Sequence, residues 1–188
     1  LIREELKDIK SLDIPIIVSM GGVAASGGYW IAAESDFIFA HETTVTGSIG
    51  VAALLFNAQE TAKQIGLNED GIEKSPFSNF NSGVLLTNPP DRLIDLIQGS
   101  VDKLYDDFID IVSKGRNLSP DKVDIIARGR VWSGSDALDK GLVDEIGSFD
   151  DAINKAKDLA DIEDYRIKRF DQKKDEFIFF KKFFGLLG

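Results

Sequence analysis

Ser26 lies in the string Met20-Gly21-Gly22-Val23-Ala24-Ala25-Ser26-Gly27-Gly28-Tyr29-Trp30, where an apolar run passes through glycines into helix-forming residues. A serine at the opening of a helix holds its hydroxyl beside backbone N–H groups that lack intrahelical acceptors. The chemistry open to it is acyl transfer. The hydroxyl attacks a carbonyl, and the N–H of Gly27 points at the oxyanion that forms. Small neighbours let a peptide backbone approach closely. The same residues also suit a tight turn with close helix packing and Ser26 as a buried cap. As a motif, the string is weaker than a nucleophile elbow with its triad partners.

Other chemistry-bearing residues read more plainly. The single histidine, His41, stands beside Glu42 at the end of a predicted strand, as a surface residue rather than a general base. Asp102, Asp106, Asp107 and Asp110 spread around a helix as its solvated face, with no histidine converging on them, so no metal is expected. No cofactor is expected either. Tyr29, Trp30 and Phe37 are core candidates. Zero cysteines exclude a disulfide framework and thiolate metal ligands but fit either redox compartment. A net charge of −10 argues against a nucleic-acid partner, since phosphate binding draws on Lys and Arg.

The elements that must position Ser26 follow from pattern. Residues 15–20 form a β-branched apolar run ended by Gly21-Gly22, which reads as a buried strand. Residues 24–33 read as a helix, and residues 37–40 as a second strand. Gly47 and Gly50 among β-branched residues at 43–55 predict a turn into another strand, followed by a short helix over 57–66. Residues 66–90 mix Gly, Asn, Ser and Pro, which predicts a long loop. The spacing of Leu93, Ile97, Val101, Leu104, Phe108 and Val112 predicts one long amphipathic helix over 91–114, closed by Gly115.

Ser119-Pro120 opens a further helix, a strand follows around 130–132, and a helix over 135–140 stops at Gly141. Ser148 caps a last helix running to about residue 160. The chain begins in an amphipathic helix with Leu1, Ile2, Leu6 and Ile9 on one face, without Met, as a fragment of a longer protein would. With 188 residues, 43% hydrophobic and 29% charged, the whole of 1–188 is expected to be one domain, its tail 161–188 packing on the core or on a partner. The phenylalanine-rich stretch 177–187 suits core packing, assembly or membrane contact equally.

Three strings carry a family resemblance. AASGGYWIA, the later TVTGSIGV, and WSGSDALDKGLVDEIGSFDDAI together resemble the nucleophile region, the following strand and the C-terminal segment of the signal peptide peptidase A (protease IV) family. The matches span residues 14–153. The resemblance implies an α/β fold of crotonase/Clp-protease-like stacked strand–helix units. It implies Ser26 as nucleophile, Gly27 N–H as oxyanion donor, and a Ser/Lys dyad in place of a Ser-His-Asp triad. A lysine base needs its pKa lowered from about 10.4 toward neutrality by burial and hydrogen bonding. Ser48, the serine of TGSIGV, would help hold that lysine; a plain turn serine is the alternative.

The lysine is where the chain departs from the short members of the family, in which it lies just before a Ser-Pro pair. Here the pair is Ser75-Pro76, the matching position is Gly71, and Lys74 is out of register. Long members divide the dyad, with serine from the C-terminal half and lysine from the N-terminal half. Gly71 resembles the C-terminal half, so the base is expected on a lysine-bearing N-terminal half, with Lys74 as the alternative. The family's second oxyanion donor comes from a glycine-rich turn upstream of Leu1. Losing one such donor costs about 10²–10³ in rate.

The resemblance further implies a serine endopeptidase that degrades cleaved signal peptides and other hydrophobic peptides. It implies a homo-oligomer on the extracytoplasmic (periplasmic) side of the bacterial inner membrane, anchored by a segment not in this chain. Two alternatives stand beside it: a catalytically silent scaffold half of such an oligomer, and a crotonase-like enzyme acting on acyl thioesters.

Overall fold

The structure, a computed structural model, describes residues 1–67 and 88–170. Its strands form two three-stranded sheets. The first holds β1 (Ile17–Ser19), β3 (Phe37–Ala40) and β6 (Glu145–Ile146), all parallel, in the order β1-β3-β6. The second holds β2 (Val23–Ala25), β4 (Val45–Gly47) and β5 (Val131–Ser133) in the order β2-β4-β5, with β2 parallel and β5 antiparallel to β4. Between and around them lie α1 (Ile2–Lys10), α2 (Gly27–Ala32), α3 (Gln59–Gln64), α4 (Asp91–Arg116), α5 (Pro120–Ile126), α6 (Gly134–Asp139) and α7 (Phe149–Ala160). This is the expected α/β stack of strand–helix units.

One cluster of buried side chains joins the two sheets to the helices, including Met20, Tyr29, Ile38, Ile49, Phe108, Val112, Val123, Leu142 and Val143. Tyr29 is fully buried, and its hydroxyl donates to the Leu142 carbonyl at 2.8 Å. Trp30 packs against Phe108 with ring centroids 4.6 Å apart, so α2 is fixed against both α4 and the 142–143 segment. Phe37 is half-buried against Phe39. Two buried threonines, Thr46 in β4 and Thr44 just before it, have their hydroxyls satisfied by the chain beside them. Thr44 donates to the Gly21 carbonyl and Thr46 to the Ala24 carbonyl, both at 2.8 Å.

Several expected boundaries move, each for a physical reason. Residues 23–25 are the strand β2, so the helix expected over 24–33 starts only at Gly27. Pairing with β4 overrides the helix preference of the two alanines. Gly115 does not close the long helix. A Cβ there would lie 2.1 Å from the Ala33 carbonyl oxygen, so its bare backbone is what lets α4 close on the end of α2. The helix ends instead at Asn117, in the left-handed conformation at φ 51°. Of residues 43–55 only 45–47 are strand, and the two-residue β6 was not expected.

The helix α1 docks by charge together with Leu6, which is half-buried beside Ile16 and Ile31, while the other end of its expected apolar face is open. Leu1 and Ile2 are 98% and 62% exposed, while Arg3 bonds Glu34 at 2.5 Å and Lys10 reaches Asp36 at 2.9 Å. The acidic residues at 102, 106, 107 and 110 lie exposed along α4, as expected. Gly71, Lys74, Ser75-Pro76 and the stretch 177–187 lie outside the described residues.

Candidate active site

Ser26 stands at the junction of β2 and α2 as the N-cap of the helix, with φ 53° and ψ −119°. A positive φ is unusual for a residue with a Cβ and strains the backbone by about 1–3 kcal/mol. The conformation persists because both neighbours are fixed. The Ser26 N–H donates to the Gly47 carbonyl at 2.9 Å, and its own carbonyl accepts from the Trp30 N–H at 2.8 Å. Its hydroxyl makes no capping bond to the helix. The side chain is exposed and is not a buried cap.

Gly27 opens α2, and its N–H belongs to the first-turn donors that a helix leaves without an internal acceptor. A Cβ at Gly27 or Gly28 would meet nothing within 4 Å, so the approach to Ser26 is open on that side.

Ser48 follows β4 and also has a positive φ, 49°, next to Gly47 at φ 75°. Ser26 and Ser48 line one cleft of about 590 Å³. Its other walls are residues 50–52, then Val101, Asp102 and Tyr105 on α4, and the turn at Arg128-Gly129. A second compartment of about 400 Å³ shares Val51, Ala52 and Val101 with the cleft and is lined further by Leu55, Ile94, Ile97 and Gln98. The two serines predicted from sequence are thus brought together, with Gly27 adjoining Ser26. His41 is exposed and does not line the cleft, and among the described residues that do, none is a lysine. Among the described residues no three of His, Cys, Asp or Glu converge to hold a metal ion.

The far wall carries a polar network that sequence reading passed over. Tyr105 donates from its hydroxyl to Asp124 Oδ1 at 2.6 Å, and the Arg128 guanidinium grips the same carboxylate from one turn further on. Arg128, followed by Tyr105, holds the Asp124 carboxyl below its ordinary pKa. Burial, then the bond to Asp124, pushes the Tyr105 phenol up. The signal in the sequence is the i,i+4 spacing of Asp124 and Arg128, followed by a glycine at 129. Nothing in that spacing points to Tyr105.

Residues 8–163 match the Peptidase family S49 profile. The chain is 42% identical to Protease 4 of Haemophilus influenzae over 90% of its length, and 38% identical to Protease 4 of Salmonella typhi over 92%. It is 36% identical over 79% of its length to the chloroplastic serine protease SPPA of Arabidopsis thaliana. The chain spans only 28%, 28% and 22% of those relatives' own lengths. Among solved structures it is similar to an enoyl-CoA hydratase from Polaromonas sp. JS666, at 21% identity and TM-score 0.35, over 85% of this chain and 44% of that one.

Proposed function

The chain belongs to peptidase family S49, and we propose that it supplies the Ser26 nucleophile of a serine endopeptidase whose lysine base lies outside the described residues. The observation that carries this reading is the conformation of Ser26. A serine in a sparsely populated backbone state, with a hydroxyl free of capping duty, opens on a cleft with a second serine of positive φ beside it.

In the proposed reaction the neutral lysine takes the Ser26 proton as Oγ bonds to the scissile carbonyl carbon. The oxyanion draws on the Gly27 N–H. Collapse breaks the C–N bond, the proton passes to the leaving amine, and an acyl-enzyme remains on Ser26. Water, deprotonated by the same lysine, then releases the acid and restores the serine. Ser48 holds the amine in place by hydrogen bonding. We assign the lysine to a companion half of the longer protein, with Lys74 as the alternative source.

The aliphatic side chains of Leu55, Ile94 and Ile97 in the compartment beside the cleft support hydrophobic peptides, cleaved signal peptides among them, as substrates. Among the described residues no helix is long and apolar enough to cross a membrane. The proposed seat is the extracytoplasmic face of a bacterial inner membrane, in a homo-oligomer, held there by a segment outside the described residues.

The test is covalent labelling. The full-length protein and this chain alone are treated with a serine-directed fluorophosphonate, each beside its Ser26→Ala variant, and the adduct is located by mass spectrometry. Labelling at Ser26 in the full-length protein and not in the isolated chain is the expected result. Labelling of both would transfer the base to Lys74 or another local group. Labelling of neither would leave a catalytically silent scaffold.

A further inference from the structure

Two bends lie side by side where β4 ends and β5 begins, and each contains two successive residues of positive φ. One is Gly47 and Ser48, at φ 75° and 49°; the other is Arg128 and Gly129, at φ 56° and 72°. They are joined by two backbone bonds. The Ser48 N–H donates to the Arg130 carbonyl at 2.7 Å, and the Gly129 N–H donates to the Ile49 carbonyl at 2.9 Å. The contact is close, because a Cβ on Gly50 would come within 2.7 Å of the Gly129 nitrogen. The first bend in turn fixes Ser26, whose N–H bonds the Gly47 carbonyl. Trp132 lies against Gly47, where a Cβ would fall 2.8 Å from its ring, and its indole N–H is tied to the Ile126 carbonyl at 2.9 Å.

Glycine takes the left-handed conformation freely; arginine does not. Something must therefore hold Arg128. Its guanidinium closes on Asp124, with Nε 3.2 Å from Oδ2 beside the shorter contact from its terminal nitrogen. Asp124 is itself held from α4 by the Tyr105 hydroxyl. The chain of contacts runs from α4 through Asp124 and Arg128 to the second bend, across one hydrogen bond to Ser48 and one to Ile49, and through Gly47 to Ser26.

We infer that Asp124 is a positioning residue. By clamping Arg128 in its left-handed state it sets the bend that holds Ser48 and, through Gly47, the attack geometry of Ser26. The inference rests on the proposed role of Ser26. Arg128 also lines the cleft, so the test must separate this role from that of a charge that recognises the peptide.

Three forms of the full-length protein test it: wild type, Asp124→Ala, and Asp124→Ala with Arg128→Gly. Asp124→Ala is expected to slow fluorophosphonate labelling of Ser26 and to lower kcat on a fluorogenic hydrophobic peptide by about ten- to a hundred-fold, with KM little changed. The added Arg128→Gly is expected to restore most of both, because glycine adopts the bend without a clamp. Amide hydrogen exchange at Ser48 and Gly129 should quicken in the single variant and slow again in the double one.

Failure of Arg128→Gly to restore the rate, or a rise in KM in place of a fall in kcat, overturns the inference and assigns the pair to substrate binding. Wild-type kinetics and exchange in Asp124→Ala overturn it as well. If wild-type Ser26 takes no label, the nucleophile reading fails instead, and the exchange data still decide whether the clamp exists.

Discussion

Ser26 holds a backbone conformation that its own side chain disfavours. Ser26→Ala removes the hydroxyl but keeps the Cβ and with it the strain, whereas Ser26→Gly removes both. Ser26→Gly is therefore expected to be more stable than Ser26→Ala by about 1 kcal/mol, read as a higher urea midpoint at equal slope. Both should lose labelling at position 26. Equal midpoints would mean that the positive φ at Ser26 carries no cost. The string around Ser26 made it a candidate nucleophile from types alone, but its φ could not be read there. That angle depends on the Gly47 carbonyl, which reaches Ser26 only after β2 and β4 have paired.

At the scale of elements, the two interior glycines of α4 behave in opposite ways. Gly99 is exposed and a Cβ there meets nothing within 4 Å, so Gly99→Ala should raise stability by about 0.5–1 kcal/mol through helix preference. Gly115→Ala drives a methyl into the Ala33 carbonyl and should cost about 1–3 kcal/mol or more, prying α4 from α2. Thermal unfolding of the pair separates the two effects. The sequence shows two glycines in one periodic segment and cannot tell them apart, which is why Gly115 reads as a helix stop. Signals confined to a few neighbouring residues were legible: Ser119 caps α5 ahead of Pro120, and Ser148 with Asp151 forms a capping box on α7. Signals that depend on a distant partner were not. Alanine-rich β2 reads as helix until β4 lies beside it, and the far wall of the cleft comes from residues remote in sequence from Ser26.

For the molecule as a whole, attachment of α1 draws on ion pairs. Burial alone would raise the pKa of Asp36, but the Ile16 N–H and the Lys10 ammonium outweigh it and hold the carboxyl below its ordinary range. With a folded pKa below the unfolded value of about 3.9, the stability from Asp36 is fully present above that value. It is lost as pH falls through the folded pKa. Asp36→Asn should therefore be less stable than wild type near neutrality and converge with it in strong acid, as melting temperatures across an acid titration would show. A constant gap at every pH would place the effect in packing. Added salt should narrow the neutral gap in the same way, since both partners are partly exposed.

The hydroxyl of Tyr29, three residues beyond Ser26, is anchored to a carbonyl 113 residues further along the chain. Ser48, likewise, meets its partner only when Arg130 arrives. A ribosome releasing this chain from its amino end would thus expose the serine long before the groups that shape it exist. The backbone geometry at Ser26 and Ser48 therefore forms only at the close of folding, after residues more than eighty positions further along have been delivered to it.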